Sequence, residues 1–372
     1  MLNLLADVNF QAHQEFFALG KSKNPLGTSA ARNQMAKGLA SRIFSVVEKL
    51  PITNVVLCVD SRSWRKDFFT GYKASRAEVK KGSMDQMTRE LFYGVIDDFC
   101  KAAKTKGVIV SKVSGAEGDD LLYGWSKYFN MAGQNCLVMS GDKDTVQLVN
   151  SDGDGWTAVW NNNWKNQIIY VPKGWSSRMV ESDLFNLSAS TDVNAVGNLM
   201  KDVFAKVVEM DDASSIVLEK VLLGDDGDDI PSSWDNGKKR LTPSKLAEVL
   251  DFMRKKGHKM SSWKDISINE VLLSDLAGVI LRVMSDIDGE SERHNQIENL
   301  RRNETLVWIN DKTIPKKLQH EVERHIGAAI TEAEQLRDTS KWRKSAILEG
   351  SKLDGESAPR ANDPFAFIDL PV

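Results

Sequence analysis

Apolar positions along the first 150 residues follow two different spacings. Short apolar runs predict buried strands at residues 2–6, 55–59, 108–113 and 136–140. Between these runs, apolar residues recur about every four positions, which predicts amphipathic helices. The clearest stripes are Met35, Leu39, Ile43, Val46 and Leu50, and Met87, Leu91, Val95 and Phe99. Strands separated by helices indicate the α/β class, with a mainly parallel central sheet and helices on both faces.

The pattern changes after this region. Residues 157–160 and 168–171 predict two further strands, which we expect to form a hairpin at the sheet edge, and residues 176–212 look like an insertion. From about residue 213 the spacing is helical, which predicts a smaller helical C-terminal domain. Residues 338–372 form a polar linker that ends in an apolar tip.

Acidic residues gather at the ends of apolar runs in five separate places. The nine are Asp7, Asp60, Glu117, Asp119, Asp120, Asp142, Asp144, Asp225 and Asp228. If the runs are neighbouring parallel strands, these side chains meet at the carboxyl edge of the sheet. Helix-dipole complementarity would explain one or two acids at a helix start, but not the whole set.

Carboxylates packed together repel one another and need compensating cations. Because oxygen ligands without His or Cys suit Mg²⁺ or Mn²⁺, the set predicts a metal-dependent enzyme. Two such ions can stabilise the attacking and leaving oxygens of phosphodiester hydrolysis. Nine acids exceed the direct ligands that two hydrated ions need, so some are expected to act through water.

The net charge of −3 does not exclude a nucleic-acid partner, because the charge is segregated along the chain. Residues 62–81 contain seven basic side chains: Arg62, Arg65, Lys66, Lys73, Arg76, Lys80 and Lys81. Aromatic residues are interleaved with them, namely Trp64, Phe68, Phe69 and Tyr72. Cations among stacking aromatics favour single-stranded nucleic acid, although a solvated basic surface is the alternative reading.

The composition is that of a soluble globular protein, with 41% hydrophobic and 27% charged residues. No apolar stretch approaches the roughly 20 residues that span a bilayer. The first residues lack the basic start of a secretory signal, so we expect a cytoplasmic protein without membrane contact. The three cysteines lie in apolar segments and predict buried thiols rather than disulfide or zinc sites.

The order of the motifs resembles that of the flap endonucleases, a superfamily that includes the 5′-nuclease domain of bacterial DNA polymerase I and phage 5′-exonucleases. The motifs are Asp7, Asp60, Tyr72-Lys73-Ala74-Ser75-Arg76, Glu117-Gly118-Asp119-Asp120, Ser140-Gly141-Asp142-Lys143-Asp144 and the segment 224–231. Within the superfamily, residues 64–68 and 241–244 most resemble the ribonuclease H of T-even phages. The resemblance covers about residues 1–260.

The resemblance implies a 5′→3′ nuclease with ribonuclease H activity that removes RNA primers and flaps during replication. Its substrates would be flapped or nicked DNA and RNA–DNA hybrid. It places two ions, Mg²⁺ or substituting Mn²⁺, in the acidic set. Around the first ion it places Asp7, Asp60, Glu117, Asp119 and Asp120, and around the second Asp142, Asp144, Asp225 and Asp228. Lys73 and Arg76 would contact the scissile phosphate from a helical arch or gateway at about residues 61–110.

The same resemblance divides the chain into a catalytic domain at 1–231, a helical duplex-binding domain at 232–337, and the C-terminal linker and tip. Residues 232–240 replace the Gly-rich helix–hairpin–helix of the family, so the domain at 232–337 would carry a degenerate version of that motif. The expected nucleic-acid contacts are Arg62, Arg65, Lys66, Tyr72, Lys238, Lys239 and Arg240. The tip would either dock on the protein itself or bind a single-strand-binding protein or sliding clamp, and the protein is expected to be a monomer.

Two other functions remain open from the residues themselves. A metal-dependent phosphatase would need the carboxylates but not the basic segment at 62–81. A non-catalytic branched-DNA-binding replication protein would need the basic segment but not the complete acidic set. A flap substrate and a phosphomonoester, each incubated with Mg²⁺, would distinguish these possibilities.

Overall fold

The computed structural model describes residues 1–20, 25–50, 52–76, 85–150, 154–163, 166–174, 206–258, 260, 262–285 and 289–339. The apolar C-terminal tip and most of the predicted insertion lie outside these residues. In the part of the chain that is described, no helix has the length and apolar content needed to cross a membrane.

The first half of the chain alternates strands and helices, as predicted. The elements are β1 (Leu2–Asp7), α1 (Val8–Ala18), α2 (Ser29–Lys49), β2 (Ile52–Cys58), α3 (Arg65–Phe68), α4 (Gln86–Lys104), β3 (Ile109–Ser111), α5 (Gly118–Met131) and β4 (Asn135–Met139). A 3₁₀ helix, Lys143–Leu148, follows β4 and precedes β5 (Thr157–Asn163), β6 (Asn166–Pro172) and β7 (Lys206–Met210).

The second half is helical, which also agrees with the sequence. Its helices are α6 (Ser215–Leu223), α7 (Pro243–Lys255), α8 (Trp263–Ser267), α9 (Glu270–Ser285), α10 (Glu290–Val307) and α11 (Lys316–Thr339). Helix α7 begins where its cap predicts, because Thr242 Oγ1 accepts a hydrogen bond from Lys245 N at 3.4 Å and Pro243 follows the cap.

The strands pair in the order β3-β2-β1-β4-β5-β6-β7 among the described residues. Every neighbouring pair is parallel except β5 and β6, which form the predicted antiparallel hairpin. The prediction that this hairpin lies at the sheet edge is wrong, since β7 pairs beyond β6. The segment interpreted as an insertion therefore contributes the edge strand. The carboxyl ends of β1, β2 and β4 lie side by side at the middle of the sheet.

Helices cover both faces of the sheet, which confirms the predicted α/β class. Helices α1, α2 and α4 bury one face, and α5 and α11 bury the other. In α4 the predicted stripe is only half right: Val95 and Phe99 are buried, but Met87 is 60% exposed. Phe92 and Ile96 complete the buried face. A strict four-residue spacing drifts around a helix by about 40° per step, so it cannot mark one face for long.

A third cluster of buried residues lies in the helical half. It joins α6 to the helices that follow it, with Val221, Val249, Trp263 and Leu276 all buried. Helix α11 belongs to the sheet instead: Leu318 and Ile326 pack in the same cluster as Trp125 of α5. In space, therefore, the last helix completes the sheet half, although along the chain it follows the helical half.

Helix α11 packs against the core of the sheet half, so shortening a buried side chain on this helix should lower the stability of the protein. Ile326 is 2% exposed, so Ile326→Ala should lower the free energy of unfolding by about 2–5 kcal/mol. Urea unfolding followed by circular dichroism measures this change. Arg324→Ala, at an exposed position on the same helix, is the matched control and should unfold like the wild type. Equal stability of the two variants would show that α11 does not complete the core.

Candidate functional site

Asp7 joins the ends of two neighbouring strands. As the last residue of β1 it caps α1, with its Oδ1 accepting from Phe10 N at 2.9 Å. Its Oδ2 accepts from the Ser140 hydroxyl at 2.8 Å, directly after β4. Burial and the nearby carboxylate of Asp60 raise the pKa of Asp7 to about 7. Asp7 is thus fixed in position, and its negative charge is disfavoured by its surroundings.

Asp60 meets Asp7 at the start of α5. Asp60 Oδ1 accepts a hydrogen bond from Gly118 N at 2.6 Å. A Cβ atom at position 118 would lie 2.9 Å from Asp60 Oδ1 and 3.8 Å from Asp7 Oδ1. A side chain at position 118 would therefore displace the carboxylate of Asp60 from this helix start.

Asp119 and Asp142 belong to the same group. Burial, together with repulsion from Asp142 and Asp7, raises the pKa of Asp119 well above its ordinary value. Asp142 is exposed and caps the 3₁₀ helix by accepting from Asp144 N at 3.0 Å. We call Asp7, Asp60, Asp119 and Asp142 the sheet-edge acids.

Lys73 stands between two further acids. Its Nζ donates to Glu117 Oε1 at 2.6 Å and lies 3.6 Å from Asp228 Oδ2. Burial acts to raise the pKa of Glu117, but Lys73 and Arg65 outweigh it and lower that pKa to about 2. The hydroxyl of Tyr72 lies within hydrogen-bond distance of both acids. The predicted catalytic lysine thus lies inside the acidic region.

The segment that carries Lys73 is fastened to the loop after α6. Lys73 has a φ of 53°, and its N–H donates to Asp228 O at 2.8 Å. Ser75 donates from its N–H and its hydroxyl to Asp229 Oδ2, each at 2.8 Å. Arg76 Nε donates to Gly227 O at 3.0 Å, and its guanidinium pairs with Asp228. Residues 72–76 are therefore positioned by the helical half of the chain.

Asp144 and Asp225 form a pair around Lys220. The Lys220 ammonium contacts Asp144 Oδ1 and Asp225 Oδ2 together. The resemblance placed Asp142 and Asp228 with these two acids. Asp142 lies beside Asp144 but also near Asp119, whereas Asp228 lies with Glu117 at Lys73. Eight of the nine acids are thus divided among three places: the sheet edge, Lys73 and Lys220.

Arg65 and Asp120 do not occupy the positions expected from the sequence. Arg65 was predicted to bind nucleic acid and Asp120 to bind metal, yet each is 2% exposed. The guanidinium donates to Asp120 Oδ1 at 2.9 Å and to Oδ2 at 3.1 Å. Trp64 Nε1 and Glu117 N also donate to Asp120 Oδ2. Since their polar atoms are already paired inside the protein, we assign both residues a structural role.

Tyr72 is likewise buried, at 4% exposure, which removes it from the predicted stacking surface. Other predicted nucleic-acid contacts do reach solvent: Arg62, Lys66, Lys238, Lys239 and Arg240 are exposed. Arg62 pairs with Asp67, and Arg240 Nη1 donates to Asp226 at 2.7 Å. Phe68 is 51% exposed beside Lys66 and keeps an aromatic face available for stacking.

Sequence reasoning missed the residues that organise these acids. Lys220 gave no signal, because a lysine in the last turn of a helix usually complements the helix dipole. Ser140 and Gly118 stood inside quoted motifs, yet only the structure shows Ser140 donating to Asp7 and Gly118 admitting Asp60.

The donor set fits a hard divalent cation. All candidate ligands are carboxylates, which Mg²⁺ and Mn²⁺ accept. Burial, together with neighbouring carboxylates, raises the pKa values of four of them, Asp7, Asp60, Asp119 and Asp144. Among the residues described, no three of these side chains, or of His and Cys, are grouped at coordinating distance. Several carboxylates instead face lysine, arginine or backbone N–H groups.

The chain is similar to parts of bacterial DNA polymerase I. It is 26% identical over 155 residues to the polymerase of Mycobacterium leprae, which covers 40% of this chain and 16% of that protein. It is 23% identical over 330 residues to the polymerase of Caldicellulosiruptor bescii, covering 85% of this chain and 33% of that one. The chain thus spans a sixth to a third of the length of these relatives.

Two solved structures share the fold. A flap endonuclease of bacteriophage T5, in a pseudo-enzyme–product complex with DNA and metal ions, superposes with a TM-score of 0.54 at 15% identity. The match covers 90% of this chain and all of that one. The same phage protein crystallised with metal ions gives a TM-score of 0.50 at 14% identity, over 92% of this chain and 100% of that chain.

Because the Arg65–Asp120 pair is buried, substituting Arg65 should lower the free energy of unfolding much more than substituting the exposed Arg62. Arg65→Met leaves the Asp120 carboxylate buried without its cation, so unfolding should become easier by about 3–5 kcal/mol. Arg62→Met, which breaks only the exposed pair with Asp67, should have a stability close to that of the wild type. Urea titration measures both. If Arg65→Met were as stable as Arg62→Met, the pair would not hold the start of α5.

The strand order, the acidic carboxyl edge and the fold shared with the phage nuclease agree with the family comparison. Residues 3–179 match the model of the 5′-3′ exonuclease N-terminal resolvase-like domain. This span contains β1 through β6 and most of the candidate site. The further resemblance to the ribonuclease H of T-even phages stays a prediction. Through residues 3–179 the chain matches the 5′-3′ exonuclease family, and the shared fold and the polymerase relatives support the superfamily of flap endonucleases and 5′→3′ exonucleases.

Proposed function

We propose that the protein is a divalent-metal-dependent, structure-specific 5′→3′ nuclease that removes RNA primers and 5′ flaps during DNA replication. The observation that carries the proposal is the position of Lys73, whose ammonium lies 2.6 Å from Glu117 at a carboxyl edge crowded with acids. The same region thus contains carboxylates that can bind metal and an ammonium group that can contact a phosphate. A phosphomonoesterase would have no use for the exposed basic surface beside it.

We propose that two ions, Mg²⁺ or substituting Mn²⁺, bind among the acids. The sheet-edge acids would hold one ion, and the pair Asp144 and Asp225 would contribute to the other. Glu117 and Asp228, which both face Lys73, would act on the ions through water. When bound, such ions supply a hydroxide-like water and neutralise charge on the phosphodiester.

The protein's own cations have a separate task. Lys73 is 19% exposed and shares its charge between Glu117 and Asp228. When the acids are neutralised by metal, that ammonium is available to stabilise charge developing on the scissile phosphate. Arg76 is more exposed and is positioned to hold the same strand. The fixed backbone of residues 72–76 keeps both side chains in place before substrate arrives.

The exposed cations extend the site over the surface. Lys66 lies on α3 beside Phe68, and Lys238 and Lys239 lie on the turn before α7. We propose that the first group receives the single-stranded 5′ end and the second holds the duplex backbone. The phage T5 flap endonuclease, whose structure includes DNA and metal ions, supports this choice of substrate. The same proposal includes RNA–DNA hybrid as a substrate and a single-strand-binding protein or sliding clamp as a partner. It also includes a monomeric state and a cytoplasmic location.

Removing one sheet-edge acid should separate chemistry from binding. Asp142→Asn should reduce cleavage of a 5′-labelled flap in Mg²⁺ by at least about a hundredfold, because a metal ligand loses its charge. Binding of the same DNA in Ca²⁺ should survive. Asp98→Asn, an exposed acid on α4, is the control and should cleave normally. Wild-type cleavage by Asp142→Asn would contradict the assignment of this acid.

Substitution of Lys66 and substitution of Lys73 should impair different steps, binding in the first case and cleavage in the second. Lys73→Ala should lower turnover by about a hundredfold or more with little change in affinity, because its charge acts on the transition state. Lys66→Ala should weaken binding and reduce the salt dependence of affinity by about one unit, with turnover retained. Single-turnover cleavage and binding isotherms at several salt concentrations measure both. If Lys73→Ala changed only the affinity for DNA, Lys73 would position a phosphate and would not stabilise the transition state.

A further inference from the structure

Lys220 reaches from the last turn of α6 into the acidic region. Its ammonium contacts Asp144 Oδ1, from the 3₁₀ helix, and Asp225 Oδ2, from the loop after α6. The side chains of Lys220, Asp144 and Asp225 are 24%, 20% and 19% exposed. One cation therefore draws two carboxylates from different parts of the fold to a single point.

The charge at this point is only partly balanced. One ammonium faces two carboxylates, and Asp142 lies beside them, accepting the N–H of Asp144 at 3.0 Å. A divalent ion would balance the pair fully, and its preferred ligands are these same carboxylate oxygens. An ammonium and a metal ion cannot occupy the same position between the two acids.

We propose that Lys220 is an internal counter-cation that occupies the position of a divalent ion between Asp144 and Asp225 and must be displaced when that ion binds. The inference rests on the proposed metal-dependent function and adds a regulatory element to it. Each binding event breaks both contacts of Lys220. The lysine thereby sets the metal concentration at which this pair of acids is filled.

An ordinary structural ion pair would show the same contacts but the opposite response to metal. If Lys220 only fastens α6 to the 3₁₀ helix, its removal loosens the two acids and leaves metal affinity unchanged or weaker. If Lys220 competes with metal, its removal strengthens metal binding while weakening the metal-free protein. The sign of the change in metal affinity therefore separates the two roles.

The experiment is calorimetric titration of the 372-residue chain with Mn²⁺ alone, without nucleic acid. Lys220→Met should bind Mn²⁺ more tightly by on the order of tenfold, the scale of a hydrogen-bonded ion pair. Lys220→Arg keeps the cation and should bind no more tightly than the wild type. Lys245→Met is the matched control, since Lys245 pairs with Glu248 on the exposed side of α7, and it should leave the Kd unchanged.

Thermal unfolding gives a second readout. In EDTA, Lys220→Met should melt below the wild type, and saturating Mn²⁺ should raise its Tm by more than it raises that of the wild type. Lys220→Gln, which keeps a hydrogen-bond donor, takes the place of Lys220→Met if the latter does not fold.

Equal or weaker Mn²⁺ binding by the folded, neutral variants would overturn the role of Lys220 alone, provided that the wild type binds Mn²⁺. If the wild type binds no Mn²⁺ at millimolar concentrations, the proposed metal-dependent function fails, and the inference fails with it. Tighter binding by Lys220→Met together with an unchanged Lys245→Met supports the inference.

Discussion

Repulsion among carboxylates at the carboxyl edge of the sheet is the constraint on which the arrangement of the site depends. Three protein cations, Arg65, Lys73 and Lys220, each hold acids that would otherwise repel one another. Asp7 and Asp119 nevertheless keep raised pKa values, because burial and their acidic neighbours outweigh the available positive charge. A group of acids in this state favours the binding of divalent cations.

The same electrostatics joins the two halves of the chain. Lys73 has a left-handed backbone, which a non-glycine residue adopts at an energetic cost, and its hydrogen bond to Asp228 O holds it there. Ser75 and Arg76 extend this attachment to the loop at 227–229. The cation nearest the acids therefore depends on the helical half for its position, although the sheet half supplies most of the acids.

The sequence was sufficient for the strand–helix alternation and for the meeting of Asp7, Asp60 and Asp142, because strand ends in a parallel sheet follow from hydrophobic spacing. It was insufficient where pairing is non-local. Nothing in the spacing shows that Asp120 is buried against Arg65 or that Lys220 lies between two acids, since these contacts depend on how separate elements pack. The edge strand β7 was missed for a related reason: its exposed, mixed pattern at 206–210 lacks the apolar run that marks a central strand.

Anomalous diffraction from crystals soaked in Mn²⁺ would locate the metal at the acidic edge of the sheet. We expect Mn²⁺ at the carboxyl ends of β1, β2 and β4, with Asp7 or Asp142 among the groups nearest the ion. Crystals without Mn²⁺ should show no such anomalous peak. Absence of Mn²⁺ from this edge, at concentrations that support cleavage of a flap substrate, would show that these carboxylates are not the metal ligands.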